Sequence, residues 1–245
     1  MKAMIFAAGI GTRLQPISRH TPKALVELGG KPMLQRLVEK LVRAGATRIV
    51  INIHHHPEKM RAFIERIHFP GIEILISDES DVLLDTGGGL LKAARMLKGE
   101  EPILLHNVDV LSDIDLGAIV TSHNETGALA TLAVSRRKTS RYFLWDKGKL
   151  AGWENTATGQ MILCGPEPGQ RLVRKAFSGV HIISPKLLEL INEAGVFSIN
   201  EVYLRLAKTF DIIAFEHSPK HWADIGTPEK LEQARALYDQ HPDLF

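Results

Sequence analysis

The sequence predicts an α/β fold: a doubly wound, mostly parallel (Rossmann-like) sheet flanked by helices, with a β-hairpin region inserted in its second half. Three observations point there. Apolar runs of strand length alternate with helix-period segments up to residue 109. Alternation at this spacing implies a parallel sheet covered on both faces, and right-handed crossovers make it doubly wound. Beyond about residue 126 the runs change character, and two of them flank a short Gly-containing turn. In such a fold a ligand sits at the carboxyl ends of the strands.

The elements follow in order. Ala3 to Ala8 is an apolar run that reads as a buried strand, ending in the small residues Ala7, Ala8, Gly9 and Gly11. Met33 to Val42 has a helical period, with Pro32 at its first turn and Gly45 past its end. Residues 48–53 form a second strand, 57–67 a helix and 72–76 a third strand. Gly87 opens a helix through Leu97, and residues 102–106 form a fourth strand that runs into Asn107, Val108 and Asp109. Residues 128–134 are a strand, and 141–145 with 149–153 are a hairpin about Asp146, Lys147 and Gly148. A strand over 177–183 and a helix from Ser184 and Pro185 come next. Ser198 and Glu201 form a capping-box pattern before a helix to about Lys208. A strand covers 211–215, and Thr227 with Pro228 opens the last helix as N-cap and N1.

Composition narrows the function. The chain has 245 residues, 44% hydrophobic and 24% charged, with a formal charge of +2, which does not suggest a nucleic-acid binder. Its one cysteine, Cys164, excludes an internal disulfide and a multi-cysteine zinc site. No charged leader precedes the first strand and no apolar run reaches membrane-span length, so the expected compartment is the cytoplasm, without a membrane partner. His54, His55 and His56 alternate sides at a strand end and do not converge on one ion.

The first thirty residues carry the strongest chemical signal. Tight small-residue backbone beside Arg13 and Lys23 suits a polyphosphate: amides donate hydrogen bonds and cations neutralise charge. Gly11 is followed by Thr12 and Arg13 rather than Lys and Ser/Thr, and position 14 is Leu rather than Gly, so neither a Walker loop nor a dinucleotide loop fits. The stretch Phe6-Ala-Ala-Gly-Ile-Gly-Thr-Arg-Leu-Gln-Pro, then Pro22-Lys-Ala-Leu, then Gly30-Lys-Pro resembles the signature of the sugar-1-phosphate nucleotidyltransferases, departing at Phe6 and Ala24. That resemblance implies a single nucleotidyltransferase domain over 1–245, with a nucleotide-binding half (1–125) and a sugar-phosphate-binding half (126–245). The C-terminal β-helix of some members is not expected. It further implies that Ala7, Ala8, Gly9, Gly11, Thr12, Arg13 and Lys23 contact the nucleotide.

Two anions meet in such a transfer, and Mg²⁺ with hard oxygen ligands offsets their repulsion. Asp109, in a segment resembling the family's Asn-Gly-Asp, and Asp224, in Trp222-Ala-Asp-Ile-Gly-Thr-Pro-Glu, are the implied ligands. Leu84-Asp-Thr-Gly-Gly-Gly resembles a segment of members close to N-acetylmuramic acid 1-phosphate uridylyltransferase, with Asp85 for Glu. By that resemblance Asp85, Gly87 and Gly88 line the base, which favours uridine. Glu154, Gly179 and Asn200 are the implied sugar contacts. Many members follow that Glu with a Lys for the sugar phosphate. Asn155 stands there instead, leaving Arg141 and Lys175 as candidate cations. Trp145 and Trp153 are expected to pack, with a sugar-facing role open to Trp153.

The expected reaction is Mg²⁺-dependent transfer of a nucleotidyl group from UTP to N-acetylmuramic acid 1-phosphate. Arg13 would hold the departing pyrophosphate, Lys23 would bridge to the reacting phosphates, and Asp109 is the third catalytic residue. Guanylyl transfer to mannose-1-phosphate, thymidylyl or uridylyl transfer to glucose-1-phosphate, and cytidylyl transfer to a non-sugar phosphate stay open. So does a catalytically silent nucleotide-binding regulatory subunit. The expected assembly is a monomer or small homo-oligomer.

Overall fold

The computed structural model describes residues 1–165, 172–218 and 220–245. β1 (Lys2–Phe6) carries the first apolar run, and its side chains alternate between two cores. Ala3 and Ile5 enter one hydrophobic cluster, Met4 and Phe6 the other, as a two-residue period requires. A ribbon of two-residue strands, β2 (Glu27–Leu28) and β3 (Lys31–Pro32), leads into α1 (Met33–Arg43). β4 (Arg48–Ile53), α2 (Pro57–Ile64), β5 (Glu73–Asp78), α3 (Asp85–Ala93) and β6 (Ile103–Asn107) follow. β4 and β6 flank β1 in parallel, and β5 lies parallel beyond β4.

Helices cover both faces of this part of the sheet. α1 buries Leu34, Leu37, Val38 and Leu41 with Ile5, the i, i+3, i+4, i+7 stripe its sequence carries. α3 places Leu90 and Ala93 against Met4 on the other side. Full burial of one such leucine contributes about 1.5–3 kcal/mol.

After β6 the chain leaves the sheet in β7 (Val110–Ser112) and enters α4 (Leu116–Thr126). The Ala118 N–H donates to the Asp115 carboxylate at 2.9 Å as N-cap, and Gly127 closes the helix at φ 60°. The second half then supplies β8 (Ala130–Ser135), β9 (Arg141–Asp146), β10 (Lys149–Asn155), β11 (Gln160–Leu163) and β12 (Val173–Ile183). α5 (Lys186–Leu190), α6 (Ile199–Leu206), β13 (Ile212–Glu216), β14 (Trp222–Asp224) and α7 (Pro228–Gln240) complete it.

The sheet order is β11-β10-β13-β8-β12-β6-β1-β4-β5, with β9 paired to both β10 and β12. This corrects the expectation of a mostly parallel sheet. Among the described residues four pairings are parallel, and six, all involving β10 or β12, are antiparallel. The sheet is mixed because short turns join β9 to β10 and β10 to β11, and β12 runs antiparallel between β6 and β8. Lys147 at φ 46° and Gly148 at φ 84° make the tight turn between β9 and β10.

Ser198 caps α6 in a reciprocal box, and the Thr227 hydroxyl accepts from Lys230 N–H at 3.4 Å to open α7. Cys164 is packed in the core, where burial pushes its thiol up to about 11. Among the described residues no helix is long and apolar enough to cross a membrane.

Candidate active site

Two adjoining cavities open at the carboxyl ends of β1 and β6. The smaller, about 380 Å³, is lined by Ala7, Ala8, Gly9, Lys23, Asn52 and Asp85, among others. The larger cleft, about 860 Å³, is lined by Arg13, Arg137, Trp153, Gly179, Asn200 and Asp224 among others. Asp85, Asn107 and Asp109 border both, so the two volumes meet at these residues.

The meeting point is built by a short antiparallel ribbon. β7 pairs with β14 so that Asp224 lies opposite Val110, and Ile225 N–H donates to the Asp109 carbonyl at 3.0 Å. Two carboxylates far apart in sequence are thereby brought together. Each is held by a lysine. Lys23 Nζ pairs with Asp109, and Lys230 Nζ donates to Asp224 Oδ2 at 2.6 Å. Arg13 comes to the same place: a Cβ built on Gly226 would meet Asp224 Oδ1 at 2.6 Å and Arg13 Nη2 at 3.7 Å.

The loop after β1 is arranged differently from the sequence expectation in one respect. The Ala7 N–H is taken by Asn52 Oδ1 at 2.7 Å and is not free for a phosphate. The Ala8, Gly9 and Thr12 amides have no partner among the described residues. Gly11, at φ 70°, turns the chain, and its carbonyl accepts from Ser18 Oγ at 2.7 Å. Neither Gly11 nor Thr12 lines the two cavities.

Gly87 and Gly88 are a second correction. They lie inside α3, are buried, and do not line the smaller cavity; Asp85 and Thr86 do. Their N–H groups donate to the Phe197 carbonyl at 3.0 and 3.3 Å. A Cβ on Gly87 would sit 2.4 Å from the Phe197 ring, and one on Gly88 would sit 2.4 Å from the Gly195 carbonyl oxygen. These glycines admit the 195–197 segment against the helix rather than a base against the backbone.

Glu154 is a third correction. Strand alternation sends Trp153 into the cleft and Glu154 to the opposite face. There the carboxylate is 4% exposed and bound by Arg174 through both guanidinium arms, Nη2 to Oε2 at 2.8 Å. Gly179 and Asn200 do line the cleft. Asn200 Oδ1 is a buried acceptor with no partner among the described residues. Gly179 sits in a bulge of β12, between Phe177 and His181, at φ 76°. Arg141 lines the cleft, whereas Lys175 is occupied by Glu216 at 2.7 Å. His54 and His55 bond the carbonyls of Glu79 and Ser18 at 2.6 and 3.2 Å.

Sequence reasoning missed two groups. Glu79 is fully buried, bonded to Leu84 N–H at 3.1 Å and, at 2.7 Å, to Nδ2 of Asn52, which lines the smaller cavity. Burial raises its pKa, against the lowering effect of those two bonds. Arg137, just after β8, stacks over Trp222 at 3.9 Å and donates through Nη2 to the Phe177 carbonyl at 2.5 Å. Burial lowers its pKa, opposed by the nearby Asp224 charge. A signal existed for neither: one is an acid after a strand, the other one of two adjacent arginines.

Comparison with known proteins agrees with this architecture. The chain is 30% identical over 244 residues to "Probable mannose-1-phosphate guanylyltransferase 3" of Oryza sativa subsp. japonica, covering 97% of this chain and 64% of that protein. It is 28% identical over 241 residues to "Mannose-1-phosphate guanyltransferase" of Yarrowia lipolytica, with the same coverages. The chain therefore spans about 64% of the length of these relatives. A UDP-glucose pyrophosphorylase from Acinetobacter baumanii superposes with a TM-score of 0.75 at 18% identity, covering 99% of this chain and 95% of that one. HddC from Yersinia pseudotuberculosis, complexed with GMP-PN, superposes with a TM-score of 0.73 at 23% identity, covering 97% and 99%. At these identities the structures share the fold. The profile of the nucleotidyl transferase family matches residues 2–143, which include the loop after β1, Lys23 and Asp109, and by this match the chain belongs to that family.

Proposed function

We propose that the protein transfers a nucleotidyl group from a nucleoside triphosphate to a sugar-1-phosphate, releasing pyrophosphate. The observation that carries this reading is the β7–β14 ribbon. It brings the Asp109 and Asp224 segments onto one cleft, which meets the smaller cavity at Asp109, with Lys23 paired to Asp109 and Arg13 in the same lining. The first half of the chain, 1–125, supplies most of the smaller cavity; the second half, 126–245, supplies most of the cleft.

The residues fit Mg²⁺. It is held by one or two carboxylates with water and substrate phosphates completing the shell, rather than by a full protein cage. Asp109 and Asp224 supply that number on the lining of one cleft, each paired with a lysine amine that a divalent ion would replace. Bound there, Mg²⁺ would neutralise phosphate charge between the two substrates. The remaining work falls to the chain. The Ala8 and Gly9 amides and Arg13 bind the triphosphate end. Lys23 leaves Asp109 to meet the reacting phosphates. The sugar-phosphate oxygen attacks the α-phosphorus, the bond to the β-phosphate oxygen breaks, and pyrophosphate departs with that electron pair. No enzyme nucleophile takes part, so positioning and charge neutralisation lower the barrier.

For the substrates, UTP with N-acetylmuramic acid 1-phosphate rests only on the likeness of the Asp85-to-Gly89 segment to that family branch, since Gly87 and Gly88 do not line the smaller cavity. The printed names of the relatives favour GTP with mannose-1-phosphate as the second reading. The test is pyrophosphate release with Mg²⁺ across UTP, GTP, dTTP, CTP and ATP, against those two sugar phosphates and glucose-1-phosphate. A requirement for one base–sugar pair supports transfer and selects the reading. Nucleotide binding without release for any pair rejects it.

A further inference from the structure

We propose that Arg137 is the residue that receives the phosphate of the sugar-1-phosphate, replacing the lysine absent at position 155. The inference rests on the reading above and assigns the anion subsite within it.

Of the cations that line the cleft, Lys230 binds Asp224, whereas Arg13, Arg137 and Arg141 have no acidic partner among the described residues. Arg13 lies on the triphosphate loop, and of the other two Arg137 is the one whose guanidinium is fixed in place. It makes one protein hydrogen bond, through Nη2 to Phe177, and its Nε is buried without a partner. A guanidinium carries five N–H donors, and the protein uses only one of them, which leaves its Nη groups with donors for a ligand.

Its geometry is fixed before any ligand arrives. The β12 bulge frees two carbonyls from the strand ladder. The Phe177 carbonyl takes Arg137, and the Ser178 carbonyl takes Trp222 Nε1 at 3.0 Å. Trp222 then forms the platform under the guanidinium at 3.9 Å. Trp222 also begins β14, two residues from Asp224, so the planar fork is tethered to the strand that carries the candidate metal carboxylate. A half-buried arginine with no ion-paired carboxylate is costly, and the nearby Asp224 charge offsets only part of its burial. A phosphate oxygen pair matches its fork and relieves that cost. Gly179 and Asn200 line the same cleft, placing the implied sugar contacts beside it.

The test measures KM for the sugar-1-phosphate and the triphosphate in Arg137→Ala, Arg137→Lys, Arg141→Ala and the surface control Arg136→Ala. Calorimetric affinity for the sugar-1-phosphate and for the same sugar without phosphate accompanies it. Arg137→Ala should raise the sugar-phosphate KM about 10- to 100-fold, leave the triphosphate KM within about twofold, and leave free-sugar affinity unchanged. Arg137→Lys, which keeps the charge but not the fork, should fall between and covers the case in which the alanine variant does not fold. Arg136→Ala should match the parent protein. Equal loss for both substrates would make Arg137 a structural staple and overturn the assignment, as would a loss carried by Arg141→Ala instead. If the parent protein turns over no sugar phosphate, the functional reading fails. The subsite is then decided by thermal shift with inorganic phosphate, which must appear in the parent protein and vanish in Arg137→Ala.

Discussion

Replacing Asn52 with Ala should destabilise the protein by about 4 kcal/mol. The side chain is buried and works in two directions: Oδ1 accepts from Ala7 N–H at 2.7 Å, and Nδ2 donates to Glu79 Oε1 at 2.7 Å. Truncation leaves a buried amide and a buried carboxylate oxygen without those partners. Each stranded group costs about 1–3 kcal/mol, which brackets the total between about 2 and 6. For a chain of this size that lowers Tm by about 8–16 °C. Urea unfolding followed by circular dichroism measures it directly. The Glu79 side chain adds a sign. Its pKa already stands above the ordinary value through burial, and the Asn52 bond holds it down, so losing that bond raises it further. A raised carboxyl pKa lets the folded state bind the proton first, so the deficit of the variant should shrink as pH falls through the folded pKa. The double variant with Glu79→Gln should show a coupling of at least about 1 kcal/mol. A loss below about 1 kcal/mol, or strict additivity in that cycle, would refute the network.

Three further outcomes are expected. Lys23→Ala should lower kcat about 10²–10³-fold, with the urea midpoint changed far less; unchanged turnover in a pyrophosphate assay would remove Lys23 from the mechanism. Gly87→Ala should cost about 1–3 kcal/mol, because its Cβ would meet the Phe197 ring at 2.4 Å; equilibrium unfolding at the parent midpoint would show the segment gives way freely. Burial lowers His106 and His181 to about 3 and His123 to about 4. Depressed pKa values give stability that is complete above pH 6.5 and lost as pH falls towards those values, up to about 1.4 kcal/mol per pH unit for each histidine. A urea midpoint flat between pH 7 and pH 4 would contradict this.

The parts of the fold legible in the sequence were those with a period. Residues 48–53 emerged as a strand with unchanged bounds, and the α6 and α7 caps stood at Ser198 and Thr227 as their side chains indicated. Elements with no period were hidden. β7 and β14 have three residues each, too few to alternate, yet they bring Asp109 and Asp224 together. Gly87 was expected to open its helix and, with Gly88, to face a base; the helix starts at Asp85, and contact with Phe197 and Gly195 takes that face, a packing relation the local sequence does not display. Glu154 was misplaced by one position of strand phase, and phase depends on which face the hairpin turns inward. The Asn52–Glu79 pair joins neighbouring strands, a relation that a single sequence does not display.

The β7–β14 ribbon also sets when the molecule becomes chemically competent during its own synthesis. Its two carboxylates leave the exit tunnel a large fraction of the chain apart, Asp109 early and Asp224 late. β1, β4, β5 and β6, together with Asp109 and most of the smaller cavity, all precede Trp222 in the chain. A chain without β14 would keep Asp109 but lack Asp224. On the proposed reading, catalysis therefore depends on β14 docking against β7 and not merely on collapse of the core.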